Sequence, residues 1–133
     1  MRAMLALGVA VLGVSSTAAE PELSPYGLWR NPSGSVEVRI ETCGAKVCGR
    51  VVSASERARA DAARGGHAEL VGMDLLEEFR REGPRTFRGR VFVPDINRRF
   101  SGKLTIQDEQ HIRVRGCITR TAGCRSQVWT RVG

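Results

Sequence analysis

Residues 86–118, TFRGRVFVPDINRRFSGKLTIQDEQHIRVRGCI, carry apolar or glycine positions at every second residue over three successive segments. The segments are Thr86 to Val93, Arg99 to Ile106 and His111 to Ile118. Alternation with a period of two is typical of a strand that buries one face. The residues between them, 94–97 and 107–110, form short connections rich in turn-forming types. The stretch therefore predicts an antiparallel meander of hairpins.

Further strand-like segments lie on both sides of this meander. Ser35 to Glu41 and Val47 to Ser53 alternate in the same way, and Ser126 to Val132 has the pattern of a last strand. Tyr26 to Trp29 is a short candidate for the first strand. About seven or eight strands in so short a chain predict an all-β fold, a small antiparallel up-and-down barrel, because closure removes exposed sheet edges.

The middle of the chain departs from this alternation. Residues 54–68 are rich in Ala and Arg, and Ser53 followed by Glu56 resembles a capping box. Gly65 is a candidate helix end, so this insertion is either a short helix or a flexible segment. The apolar residues of 69–79 fit a helical stripe and a strand entering the barrel equally well.

The N-terminus has the pattern of a secretory signal. Arg2 precedes an apolar run from Leu5 to Val14, and small residues lead to a candidate cleavage point after Ala19. The run is about half of the ~20 residues that span a bilayer. The chain has 133 residues, a length that corresponds to one domain, and its net charge is +7. We expect residues 1–19 to be removed and 20–133 to form one domain in the periplasm or outside the cell.

Four cysteines lie in the expected mature part, at Cys43, Cys48, Cys117 and Cys124. Disulfides persist in the oxidising compartment to which an exported protein goes. The spacing favours Cys43–Cys48 and Cys117–Cys124, each across a turn, although crossed pairs remain possible. These spacings are unlike the short knuckles of zinc sites, so we expect no metal and no cofactor.

Three stretches together resemble the exported bacterial family called domain of unknown function 2147. They are Gly27-Leu28-Trp29 with Cys43–Val52, Phe87–Asp95 running into Arg99–Gly102, and Val114–Cys117 with Cys124–Val132. The resemblance implies a calycin-like or lipocalin-like barrel exported to the periplasm, and it implies no catalytic mechanism. The chain departs from the family at 61–67, where an Asp and an Asn-Pro turn are usual. It departs again at 87–89, where a Trp-Gly is usual.

Gly27-x-Trp29 near the start and Arg131 near the end are similar to the closing device of lipocalins, in which an Arg lies over a Trp plug. A planar guanidinium stacks well on an indole face. We therefore expect Trp29 and Arg131 to close one end of the barrel. The alternative is that they are two unrelated, half-buried residues.

The barrel interior is the first candidate for a binding site. Glycines at inward positions of three successive strands leave room that side chains would otherwise fill, or they let a small barrel bend tightly. The first interpretation predicts a cavity for a small apolar or amphiphilic ligand. Its lining would be Phe87, Gly89, Val91, Phe100, Gly102, Leu104 and Gly116.

Outward-facing arginines are the second candidate. They are Arg88, Arg90, Arg98, Arg99, Arg113 and Arg115. Such a surface would bind an anionic envelope component, such as lipopolysaccharide, a phospholipid headgroup or an acidic protein, with peripheral membrane contact. The alternative is an ordinary solvated face. Nucleic acid is not an expected partner, because no aromatic side chains interleave these arginines as a stacking platform.

Catalysis has the weakest support in the sequence. His67 lies in a Gly-rich segment and His111 begins a strand, but neither has an evident nucleophile or acid–base partner. The sequence therefore predicts a protein that binds a molecule rather than an enzyme, and it leaves the oligomeric state open.

Overall fold

Eight antiparallel strands close into a barrel in which every strand pairs with its neighbours in chain order. The computed structural model describes residues 3–4, 6–13 and 23–133. The strands are β1 (Gly27–Arg30), β2 (Val36–Cys43), β3 (Lys46–Ala54), β4 (Asp74–Arg81), β5 (Thr86–Val93), β6 (Arg98–Ile106), β7 (His111–Cys117) and β8 (Cys124–Arg131). The all-β, up-and-down barrel that the sequence predicts is confirmed. Leu5, Val14 and Ala19, on which the predicted signal depends, lie outside the described residues.

The alternating segments form the barrel wall with their apolar faces inward. In β5, β6 and β7 the pairing aligns Phe87 with Leu104 and Leu104 with Val114. Strand register is strongly specified here, since a slip of one residue would turn every core side chain outward. The core is mainly aliphatic and includes Val38, Ile40 and Ile112, each at most 1% exposed.

Within residues 69–79, whose pattern fits both a helix and a strand, the structure has a strand, β4, from Asp74 onward. Leu76 and Phe79 are both 1% exposed although they lie three residues apart. Glu78 between them adopts a positive φ of 55°, and the pairing with β5 shifts register between Glu77 and Arg80. This β-bulge inserts one extra residue, so the inward positions acquire the spacing of a helix within an extended strand.

The insertion between β3 and β4 contains helix α1 (Glu56–Arg64). Its N-cap is Ser55, two residues after the expected Ser53, and its hydroxyl accepts a hydrogen bond of 3.1 Å from the backbone N–H of Ala58. The helix ends at Gly65, which packs against the 3-10 turn that follows β5, Pro94–Ile96. Among the described residues, no helix is both long and apolar enough to cross a lipid bilayer.

The strand order gives the barrel two different ends. The terminal end carries residues 23–26 and 131–133 with the turns at 43–46, 82–85 and 107–110. The helix end carries the connections 31–35, 55–73, 94–97 and 118–123. The longest connection and its helix therefore sit at one mouth of the barrel.

Candidate functional site

The terminal end of the barrel is closed by the two residues that the sequence pairs. Trp29 is fully buried, and its indole N–H donates a hydrogen bond of 2.8 Å to the carbonyl oxygen of Pro25. Cζ of Arg131 lies 4.3 Å from the centre of the Trp29 ring. The same guanidinium donates to the carbonyl oxygens of Ser24, Tyr26 and Glu109, which tie the chain ends and a hairpin turn together. Within residues 23–133, these contacts cover the Trp29 side of the barrel.

The glycine of the Gly27-x-Trp29 pattern is required by the backbone. Gly27 has a φ of +128°, a conformation that side chains with a Cβ rarely adopt. A Cβ there would also lie 2.7 Å from the carbonyl oxygen of Gly133. The Gly-x-Trp pattern therefore combines a backbone requirement with the tryptophan plug.

The interior glycines do not open the cavity predicted from the sequence. A Cβ on Gly89 would lie 2.6 Å from Cδ2 of Phe79, and one on Gly102 would lie 2.8 Å from Cζ of the same ring. Phe79 therefore occupies the space that the two glycines vacate. Gly116 is less crowded, with Phe100 as its nearest neighbour at 3.6 Å.

The other residues of the predicted lining belong to the packed wall or core. Phe87 and Leu104 are buried at 3% and 1% exposure, and Val91 packs against the core. Phe100 is half-buried and has the guanidinium of Arg98 at 5.7 Å from its ring centre. At Gly89 and Gly102 the space is therefore filled by Phe79 of β4 and is not open. The cavity lining as a whole stays a prediction.

A cavity of about 560 Å³ lies instead at the helix end. Its lining is Asn31, Ser33, Ser35, Val36, Ser55, Arg57, Ala58, Asp61, Leu70, Leu75, Pro94 and Asp95. These residues come from the β1–β2 connection and the first residue of β2, from α1 with its N-cap and the segment after it, from β4 through Leu75, and from the 3-10 turn. The cavity thus has an apolar wall and a rim of hydroxyl, amide and charged groups.

Charged groups at the rim differ in how they are paired. Asp61 forms an ion pair with Arg64 on the same helix. Asp95 and Arg57 form no ion pair with another residue of the described chain. A polar group of a ligand at the rim therefore has both an acceptor and a cationic donor within the lining.

The predicted arginine surface divides into paired and unpaired residues. Strand β4 and the turn after it supply three carboxylates to it. Arg88 pairs with Glu82 at 3.1 Å, Arg90 with Glu78 at 2.6 Å, and Arg99 with Glu77 at 2.8 Å. Arg98, Arg113 and Arg115 form no ion pair within the described residues.

The ion pairs lower the pKa of one of these carboxylates, Glu78. Its side chain accepts a hydrogen bond from Lys46 at 3.3 Å, and Arg90 lies on the other side of the carboxylate. The hydrogen bond from Lys46, followed by the charge of Arg90, holds the pKa of Glu78 below its usual value of about 4.5.

A smaller cavity, of about 230 Å³, lies on the outer face of β5, β6 and β7. We call it the basic groove. Its lining is Arg88, Ser101, Gly102, Lys103, Arg115, Cys117, Arg120 and Thr121. The sequence analysis included Arg88 and Arg115 in the arginine surface but missed Lys103 and Arg120. The alternation of β6 places Lys103 on its outer face, so the sequence pattern could have identified it. Arg120 lies in a turn, where no alternation indicates the direction of a side chain.

Both disulfides join the cysteines that the spacing favours. Cys43–Cys48 crosses the β2–β3 turn at the terminal end, and Cys117–Cys124 crosses the β7–β8 turn at the helix end. The second disulfide forms one boundary of the basic groove through Cys117. It therefore restrains the turn that carries Arg120 and Thr121.

The two histidines make contacts that hold loops. Nε2 of His67 lies 2.8 Å from Oδ1 of Asn97, and its ring meets Phe92 edge-on at 5.2 Å, which joins the insertion to the β5–β6 turn. Nδ1 of His111 lies 2.9 Å from Oδ1 of Asp108 in an exposed turn. The backbone N–H of Gln110, then the His111 side chain, lowers the pKa of Asp108.

Comparisons with known proteins bear on the fold and on the family. A search of curated proteins finds no match to this chain. A solved structure, protein HP1028 from the human pathogen Helicobacter pylori, described as belonging to the lipocalin family, superposes with a TM-score of 0.64 at 9% identity, covering 84% of each chain. At that identity the likeness concerns the fold alone, which is lipocalin-like. The family model for uncharacterized proteins conserved in bacteria, DUF2147, matches residues 27–131, and the chain belongs to that family.

Proposed function

We propose that this protein binds a small amphiphilic molecule in the cavity at the helix end and does not catalyse a reaction. The cavity of about 560 Å³ carries the proposal. Ligand pockets in proteins have volumes of about 300–1,000 Å³, with mostly apolar walls and a few polar groups that orient the ligand. The lipocalin-like fold supports a binding function in general, and the packing of the described residues decides where on the barrel the ligand would bind.

Packing supports the helix end over the other candidate positions. Arg131 and Trp29 cover the terminal end, and Phe79 fills the space beside the inward glycines. A ligand at the helix end would place its apolar part against Leu70 and Leu75, where the buried area contributes about 25 cal/mol per Å². Its polar head would reach the hydroxyls, Asp95 and Arg57 at the rim.

We also propose that the protein acts in the periplasm after removal of residues 1–19. The apolar run that precedes small residues supports this location. The two disulfides support it as well, since such bonds persist outside the reducing cytosol. The family is bacterial.

An alternative function, in which the whole arginine surface docks on an anionic envelope component, has less support. Half of the predicted residues are already neutralised by the carboxylates of Glu77, Glu78 and Glu82. Exposed pairs of this kind leave little charge to attract a partner.

Native mass spectrometry of the protein purified from the periplasm tests the proposal, with solvent extraction to identify any bound species. Helix α1 offers a matched pair of variants. Ala58 lines the cavity and is half-buried, whereas Ala60 on the same helix is exposed and does not line it. Ala58→Trp fills the cavity, and Ala60→Trp adds the same side chain to the solvent face.

We expect a bound amphiphile near one molecule per chain in the wild type and in Ala60→Trp, and its loss from Ala58→Trp. An equal amount of bound species in both variants would contradict the proposed site. A protein without a bound species should still bind a fluorescent fatty-acid probe, and failure of Ala58→Trp to weaken that binding would overturn the proposal.

A further inference from the structure

Three basic residues stand side by side on the outer face of the barrel. Arg88 of β5 pairs directly with Lys103 of β6, and Lys103 pairs directly with Arg115 of β7. Arg80 of β4 lies opposite Arg88 and extends the row to four neighbouring strands. Side chains at directly opposite positions have Cβ atoms about 4.5–5.5 Å apart, and like charges placed so are destabilising.

The row has fewer carboxylate partners than the arginines beside it. Glu82 pairs with Arg88 and is the row's one counter-charge within the described residues. Lys103 and Arg115 form no ion pair or side-chain hydrogen bond with any described residue. Neighbouring cations such as Arg90 and Arg99 are each matched by a glutamate. The repulsion within the row is therefore left to solvent or to a bound anion.

The row also borders a concave site with additional donors. The basic groove adds Arg120 and the hydroxyls of Ser101 and Thr121 to Arg88, Lys103 and Arg115. Neither hydroxyl is hydrogen-bonded to another described residue. The disulfide Cys117–Cys124 restrains the turn that carries Arg120 and Thr121. The groove thus combines three cations that form no ion pair within the described chain, one arginine that Glu82 already pairs with, and two hydroxyls.

We infer that the basic groove binds a phosphate group of an organic phosphate, a phosphomonoester or a pyrophosphate. Guanidinium groups pair with phosphate oxygens through two parallel hydrogen bonds, and a phosphate offers enough oxygens for several cations at once. A monocarboxylate would neutralise only one cation of the row. The lining contains no aromatic or large aliphatic side chain, so the groove recognises the head group and leaves the rest of the ligand outside. This site lies apart from the cavity at the helix end and does not depend on it.

Isothermal titration calorimetry with sodium pyrophosphate at low ionic strength measures the affinity of the groove for the anion and tests the inference. The double variant Lys103→Gln/Arg115→Gln removes two cations from the groove. Arg39→Gln/Arg59→Gln is the matched control, because both residues are exposed and without ion pairs in the described chain, and neither lines the groove. We expect the groove variant to lose affinity by about tenfold or more and the control to change by less than about twofold.

Thermal unfolding provides a second readout that does not depend on the heat of binding. Removing like charges from the row should raise the Tm of the groove variant in the absence of anions. Pyrophosphate should raise the Tm of the wild type and of the control, and at the same concentration it should raise that of the groove variant by clearly less. An equal loss of pyrophosphate binding in both double variants would mean that net charge alone attracts the anion, and this result overturns the site. Absence of saturable binding to the wild type also overturns it.

Two further ligands distinguish the source of the phosphate. Glycerol 3-phosphate represents a soluble ester, and phosphatidylcholine vesicles containing phosphatidate represent a lipid head group. Binding of either one that is sensitive to Lys103→Gln/Arg115→Gln supports the inference and identifies the source. If both fail to bind while pyrophosphate binds through Lys103 and Arg115, the site is assigned to a pyrophosphate; if pyrophosphate fails as well, the inference is overturned.

Discussion

At the scale of single residues, the terminal end of the barrel depends on one arginine with several partners. Its guanidinium donates to the carbonyl oxygens of Tyr26 at 2.5 Å, Glu109 at 2.7 Å and Ser24 at 3.0 Å. Its flat face covers the Trp29 ring. A lysine at position 131 would keep the charge and lose this planar fork, because an ammonium is a compact point charge. Arg131 is therefore a structural residue that connects the first strand, the last strand and a hairpin turn.

The inward glycines differ in how much room they have, and this difference leads to a prediction. Gly89→Ala places a Cβ 2.6 Å from Cδ2 of Phe79 and 2.6 Å from the carbonyl oxygen of Glu77. We expect it to lower the free energy of unfolding by about 1–3 kcal/mol, as overpacking does. Gly116→Ala is the matched control, because its Cβ meets its nearest atom at an ordinary 3.6 Å. Urea unfolding followed by circular dichroism measures both.

A rescue variant separates overpacking from other causes. Phe79→Leu removes the ring that meets the new methyl group, so Gly89→Ala should cost less in that background than in the wild type. Equal costs in the two backgrounds would show that Phe79 does not occupy the glycine space.

At the scale of elements, Glu78 at the bulge of β4 predicts that the stability of the fold depends on pH. Hydrogen bonding from Lys46 and the charge of Arg90 lower the pKa of Glu78 in the folded protein. A lowered pKa stabilises the fold above the carboxyl's usual value of about 4.5, and the contribution disappears as pH falls through the folded pKa. Glu78→Gln should therefore be less stable than the wild type at pH 7, and the difference should close in acid.

Urea unfolding at pH 7 and at pH 3 measures this effect. Glu69→Gln is the control, because Glu69 is exposed and forms no ion pair within the described chain. A difference between wild type and Glu78→Gln that stays constant over this pH range would contradict the assigned ion pairs.

The same element shows where reasoning from sequence succeeds and where it does not. Unbroken alternation predicts the strands β5 and β6, and it predicts that Phe87 and Leu104 face inward, where both are buried. The sequence does not decide between helix and strand for β4, because its bulge at Glu78 gives Leu76 and Phe79 a helical spacing. The sequence does not decide whether α1 is a helix or a flexible segment, because the helix buries only Ala62 and its end packs on residues about thirty positions later in the chain.

At the scale of the whole molecule, both candidate sites assemble residues that are distant in sequence. The cavity at the helix end combines residues of three separate connections with Val36 of β2 and Leu75 of β4, and a period of two says nothing about where connections meet. The basic groove depends on strand register, which aligns Arg88, Lys103 and Arg115. The sequence placed Arg88 and Arg115 on an outer face, but only the register makes them one row with Lys103.

Export and stability are linked through the disulfides, and this link gives the last prediction. Each disulfide closes a loop with a sequence separation of 5 or 7 residues. In the chain-entropy model each contributes about 2–3 kcal/mol, so the two together contribute about 4–6 kcal/mol if they act independently. A domain of this size buries only about two-thirds of its unfolded surface, which makes that contribution a large part of its stability.

The full chain expressed in a Gram-negative host should therefore be recovered from the periplasm without free thiols and with Glu20 as its first residue. Residues 20–133 expressed in the reducing cytosol should carry free thiols and unfold at a lower urea concentration. Fractionation, N-terminal sequencing and thiol titration measure the two states, and oxidation of the cytosolic protein in vitro should restore its stability. Full stability with all four thiols free would contradict the structural role of the disulfides. A cytosolic full chain that begins at Met1 would contradict the predicted signal, because removal at Ala19 requires passage through the membrane.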